Sequence, residues 1–81
     1  MVRHAGVDYW TTEELANSIE ARGLVRGRSD NPRVRRFRTQ RWARRMHLAP
    51  AAVTKTGALL YRHEDVWLTL RECDPGVLIV I

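Results

Sequence analysis

From Trp10 to Gly23 the apolar residues Leu15, Ala16 and Ile19 recur with helical spacing between polar neighbours, which predicts an amphipathic helix. Its start is well marked: Thr11 stands as N-cap and Glu14, three residues on, as the reciprocal partner of a capping box, with Trp10 and Leu15 spaced as a hydrophobic staple. Gly23 supplies the left-handed residue that ends such a helix. Residues 24 to 33, LVRGRSDNPR, read as a connecting loop in which Asn31 caps a second helix and Pro32 is its first residue. Within that helix Thr39, Trp42, Ala43 and Met46 follow i, i+3, i+4, i+7 spacing, a face to be buried, while Arg38, Arg41 and Arg45 fall opposite. Val34 and Phe37 drift away from the apolar face, which allows a break near Arg38.

The period changes after His47. LAP ends the helix at Pro50, and AAVTKTGALLYR places two short apolar runs around Lys55, Thr56 and Gly57, a β-hairpin with a basic tip. Glu64 and Asp65 then open a third helix, where negative charge suits the dipole, and Val66, Trp67, Leu70 and Cys73 give it an apolar face. Asp74, Pro75 and Gly76 form a closing turn, and the tail Val77, Leu78, Ile79, Val80 and Ile81 has the composition of a strand. The expected organisation is one domain over 1–76 with an apolar tail at 77–81. The tail either adds a strand to the chain's own hairpin or pairs with the sheet edge of a neighbouring copy, and the second arrangement is favoured.

Charge changes this picture from a small fold into one with an expected partner. The 81 residues carry 14 Lys and Arg against 9 Asp and Glu, a formal net charge of +5, and the segment RVRRFRTQRWARR at 33–45 holds seven arginines among thirteen residues. Like charges that close repel one another, so an anionic partner explains the segment better than a solvated helix face does, and nucleic acid is the leading class. Arginine also suits bidentate contact with phosphate and guanine better than lysine. The single Cys73 makes no internal disulfide, no early apolar run marks the chain for secretion, and VLIVI is far shorter than the ~20 residues that cross a bilayer. A cytoplasmic location and no membrane partner are therefore expected.

Catalysis and metal binding find little support. His4, His47, His63 and Cys73 have no short ligand spacing and sit in separate elements. Glu13 with Glu14, and Glu64 with Asp65, occupy first helical turns, where capping and the dipole account for them, and adjacent helical residues diverge in direction. There is no glycine-rich phosphate loop or nucleophile–base arrangement, so neither enzyme activity nor a cofactor is expected.

The order of capped helix, arginine-rich helix, polar-tipped hairpin and final helix predicts an α+β winged helix-turn-helix domain with a two- or three-stranded antiparallel hairpin. Three stretches also resemble a known family. YWTTEELA (9–16) looks like the opening of excisionase-type and MerR-type domains, RWARRMHLAP (41–50) resembles their tryptophan-bearing recognition helix and exit, and LLYRHEDVWLTL (59–70) resembles their second wing strand and following helix. Between Gly23 and Thr39 the chain departs from that pattern with an additional loop and basic segment. Its size favours the excisionase branch. The resemblance implies a recombination directionality factor of a phage or mobile element, which binds repeated sites in double-stranded DNA, bends it, and steers an integrase towards excision. It also implies head-to-tail self-association on DNA through residues 77–81. A winged-helix transcriptional regulator on an operator is the alternative, and an RNA-binding or protein-assembly module a third.

The expected groove contacts are Arg38, Gln40, Arg41, Arg44 and Arg45, directed outward by the buried stripe. Lys55 and Thr56 at the hairpin tip are expected on the DNA backbone, with Arg33, Arg35 and Arg36 acting similarly from the start of the helix. Trp10, Trp42 and Trp67 are expected to be structural.

Overall fold

The computed structural model describes residues 1–26 and 29–73. Strands β1 (Val2–His4) and β2 (Val7–Thr11) lead into helices α1 (Thr12–Ala21) and α2 (Pro32–Arg45), followed by β3 (Ala52–Val53), β4 (Leu59–Arg62) and α3 (His63–Cys73). The described chain is a small α+β fold with three helices and one antiparallel sheet of four strands, ordered β1-β2-β4-β3. The closing turn at Asp74, Pro75 and Gly76 and the tail at 77–81 lie outside the described residues, as does Gly27 with Arg28 in the loop.

The sheet is larger than expected because residues 2–11 form a second hairpin. Ala5 and Gly6 both take positive φ (51° and 78°), the conformation of two-residue turns whose twist matches that of paired strands. Val2 therefore pairs with Tyr9 and His4 with Val7, and β2 continues onto β4 with Trp10 opposite Tyr61 and Thr11 opposite Leu60. On the other side of β4, Ala52 opposes Leu60 and Val53 opposes Leu59.

The helix ends follow the local chemistry. At α1 the Glu14 amide donates to Thr11 Oγ1 and the Thr11 amide donates to Glu14 Oε1, both at 3.1 Å, completing the capping box. Burial by itself would raise the Glu14 carboxyl. Hydrogen bonds from the N-terminal amino group and from Thr11 outweigh that and hold it below its ordinary value. At α2 the Arg33 amide donates to Asn31 Oδ1 at 3.0 Å and Pro32 occupies the first turn; the helix then runs unbroken past Arg38 to Arg45.

Both α1 and α2 stop in the same way. After α1, Gly23 turns left-handed, its amide donates to Glu20 O, and the Leu24 amide donates to Ile19 O. After α2, His47 takes the left-handed position (φ 59°), with its amide bonded to Arg44 O and the Leu48 amide to Ala43 O. The second helix thus ends before Pro50, through its own backbone. His47 carries a Cβ where Gly23 carries none, so His47→Gly is expected to raise stability, and Gly23→Ala to lower it, each by on the order of 1 kcal/mol. Urea denaturation midpoints of the two variants check the opposed signs.

Leu15, Ile19, Trp42, Ala43, Leu48, Tyr61, Val66 and Leu70 form the core, with Trp10, Leu24, Val25, Leu59 and Cys73 packed against it. The residue after each left-handed turn, Leu24 or Leu48, thereby anchors its connection to the interior. The Trp10 indole N–H donates to His63 Nδ1 at 2.7 Å, tying β2 to the first residue of α3.

Two apolar expectations are corrected. Met46 is not interior: it lies beyond the last turn of α2, 37% exposed, with its sulfur 3.7 Å from that of Cys73. Trp67 is 50% exposed rather than structural, because Val66 and Leu70 fill a narrow stripe on α3 and Trp67 follows Val66 about 100° further round the helix.

Candidate nucleic-acid interface

Thr39, Trp42 and Ala43 fix the rotation of α2 by their burial. Thr39 is the one buried polar side chain among the described residues, and its hydroxyl donates to Arg35 O at 2.7 Å inside the same helix. No acidic residue occurs in the sequence of α2, so whatever leaves this buried stripe is cationic, amide or apolar.

The arginines divide into three groups. Arg35 is turned inward: its Nε and Nη2 reach the two oxygens of Glu20 at 3.1 and 2.6 Å, and Nη2 also reaches Asn17 Oδ1 at 2.7 Å. Hydrogen bonding to Glu20 raises the Arg35 pKa above its ordinary value, against the effect of desolvation. The forked pair clamps α2 onto α1. Arg35, expected on the DNA backbone, thus has its Nε and Nη2 engaged within the chain.

Arg36 and Gln40 lie on the flank facing the β3–β4 hairpin. They line a cleft with Thr56 and Gly57 of the hairpin tip and with Thr12 and Glu13 at the start of α1. The tip is shaped by Thr54, whose amide donates to Ala58 O at 2.9 Å and whose hydroxyl accepts from the Ala58 amide at 3.0 Å, with Gly57 at φ 85°. Lys55 and Thr56 are exposed there. Gln40 therefore belongs with the hairpin and not with Arg41.

Arg38, Arg41 and Arg45 lie together, as their spacing predicts, but on the other flank and not opposite the buried stripe, where they surround a depression with Leu24, Val25 and Trp42. Arg26 joins them, and the Arg38 guanidinium donates to its carbonyl oxygen. Arg26 was not singled out in the sequence. The available signal was the apolar pair Leu24–Val25 directly after Gly23, which packs against the core and brings the next residue back beside α2. Arg33, Arg41 and Arg44 are exposed, and the charge of Arg44 opposes the rise that burial imposes on the Tyr61 phenol.

Cations thus stand on both flanks of one helix, with a polar hairpin tip closing one side and the Glu13 carboxylate within that cleft. Protein-family models, curated proteins and solved structures give no match to this chain. Among the described residues, no three His, Cys, Asp or Glu side chains come together as a metal site, and no helix is long and apolar enough to cross a membrane. The guanidinium and amide groups are spread along a helix of 14 residues, and the Lys55 ammonium and Thr56 hydroxyl stand on the hairpin tip, so the donors are not gathered round one point.

Proposed function

We propose that this chain is a non-enzymatic, sequence-specific DNA-binding protein with winged helix-turn-helix geometry, in which α2 enters the major groove and the hairpin tip follows the adjoining backbone. The observation that carries the reading is the shared cleft, in which Arg36 and Gln40 of α2 face Thr56 and Gly57 of the hairpin. A helix lodged in a groove needs contacts to the sugar-phosphate strands on both sides. Arg36, Lys55 and Thr56 supply one side, and Arg26, Arg38 and Arg45 the other. Arg41 and Arg44 meet base edges, where a bidentate arginine selects guanine.

Within that class, the excisionase role fits best, supported by the resemblance of residues 9–16, 41–50 and 59–70. The chain then acts as a recombination directionality factor of a phage or mobile element, in the cytoplasm of a bacterial host. It binds direct repeats, bends the DNA, and directs an integrase towards excision. Head-to-tail association through Val77, Leu78, Ile79, Val80 and Ile81 suits such repeats, because a heterologous contact propagates along a line.

Footprinting on the DNA flanking its gene tests the assignment. Protection of direct repeats beside a recombination site is the expected result; a protected palindrome over a promoter would assign an operator-binding regulator instead, and absence of protection would refute DNA binding. At the residue level, Arg41→Ala should cost the cognate duplex about 10- to 100-fold in affinity, the worth of one bidentate base contact, while random duplex loses far less. Equal losses on both duplexes would make Arg41 a phosphate contact.

A further inference from the structure

The middle of the outward face of α2 is apolar. Phe37 is 60% exposed and Val34, one turn before it, 42% exposed, and neither belongs to the core or to the side chains packed against it. Helical spacing places Arg33 one turn before Phe37 and Arg41 one turn after it, so the ring is set inside the cationic face and not at its margin. Among the described residues, this large aromatic has no part in the core.

Resting on the DNA-binding reading above, we infer that Phe37, assisted by Val34, is a specificity-determining residue that reads the 5-methyl groups of thymine in the major groove. The groove offers one apolar feature to a protein, the thymine methyl, and an aromatic or aliphatic side chain is its complement. Val34 and Phe37 are about 4.5 Å apart along the helix axis against about 3.4 Å for a base step, a separation of between one and two steps. Arg33 and Arg41 on either side favour guanine. The preferred site is therefore thymine at its centre with guanines flanking. A second copy of the chain is a poor occupant of the same surface, because a face-to-face contact there sets arginine against arginine.

The test starts from selection of the preferred duplex out of a random-sequence library by the full chain. Each thymine of the selected duplex is then replaced by deoxyuridine, which removes the methyl group and keeps the base pair. For the unaltered protein, substitution at one or two central positions should weaken binding roughly three- to fivefold each, the transfer of a methyl group out of water. Phe37→Ala should bind the thymine duplex more weakly by a similar factor and be indifferent to deoxyuridine. Equal sensitivity in both proteins, or none in either, overturns the proposal while leaving DNA binding intact. So does a Phe37→Ala chain that differs from the parent only in self-association. Failure of the library to yield any bound duplex overturns the DNA-binding reading itself, and the thymine contact with it.

Discussion

Raising monovalent salt from about 50 to about 200 mM is expected to weaken binding of a random-sequence duplex on the order of a thousandfold. Arg26, Arg36, Arg38, Arg45 and Lys55 are the cations assigned to the two backbones, and about five neutralised phosphates correspond to a log–log slope near −4.5. Lys55→Ala should flatten that slope by about one and reduce affinity for all sequences alike. Arg35→Ala should leave the slope unchanged, because this guanidinium is engaged by Glu20 and Asn17 and not by the partner. Fluorescence anisotropy across the salt range measures all three slopes. An affinity insensitive to salt would remove the polyanion reading, and a flattened slope for Arg35→Ala would show that the ion pair opens on binding.

Trp42→Ala is expected to remove a large share of the folding stability. The indole is 3% exposed and sits in the cluster with Leu15, Ile19, Leu48 and Tyr61, where truncation removes its burial and opens a void, together about 3–5 kcal/mol. A small domain is stable by about 0.05–0.15 kcal/mol per residue, about 4–12 kcal/mol for 81 residues, so that loss takes from about a quarter of it to all of it. Trp67→Ala, at half exposure on α3, should change stability by about 0.5 kcal/mol or less. Far-UV circular dichroism with urea denaturation separates the two; comparable losses would mean that Trp67 is covered in solution by something outside the described residues.

The parts of the fold governed by neighbours in sequence were legible. Thr11 with Glu14, Asn31 with Pro32, and Gly23 each act within one turn of chain, and the helix boundaries followed from them. Thr39, Trp42 and Ala43 were recognisable because helical period alone carries them to one face. The N-terminal hairpin escaped notice because its turn is Ala5-Gly6, without the Asn or Asp that favours positive φ, and its first strand is exposed throughout. At the candidate interface, exposure of Lys55 and Thr56 and the grouping of Arg38, Arg41 and Arg45 were readable from spacing. The inward turn of Arg35 was not, since it depends on Asn17 and Glu20 one turn apart on a different helix. Gln40 joined the hairpin tip for a similar reason: the chain between them says nothing of how closely the two elements approach.

The pairing of β2 with β4 brings residues about fifty positions apart into register, Thr11 against Leu60 and Tyr9 against Arg62. Everything between them, including α1 and α2, is enclosed in that loop. The capped helices close locally and early, whereas the sheet must wait for its distant strand, whose closure entropy is met only at the end. On the ribosome, β2 stands without its β4 neighbour until Leu59–Arg62 has emerged. The cleft between Gln40 and Thr56 therefore comes into being only after Leu59–Arg62 has emerged. A nascent chain released before that point carries all seven arginines of residues 33–45 without the hairpin that orients them, so it attracts polyanions before it has the shape to choose among them.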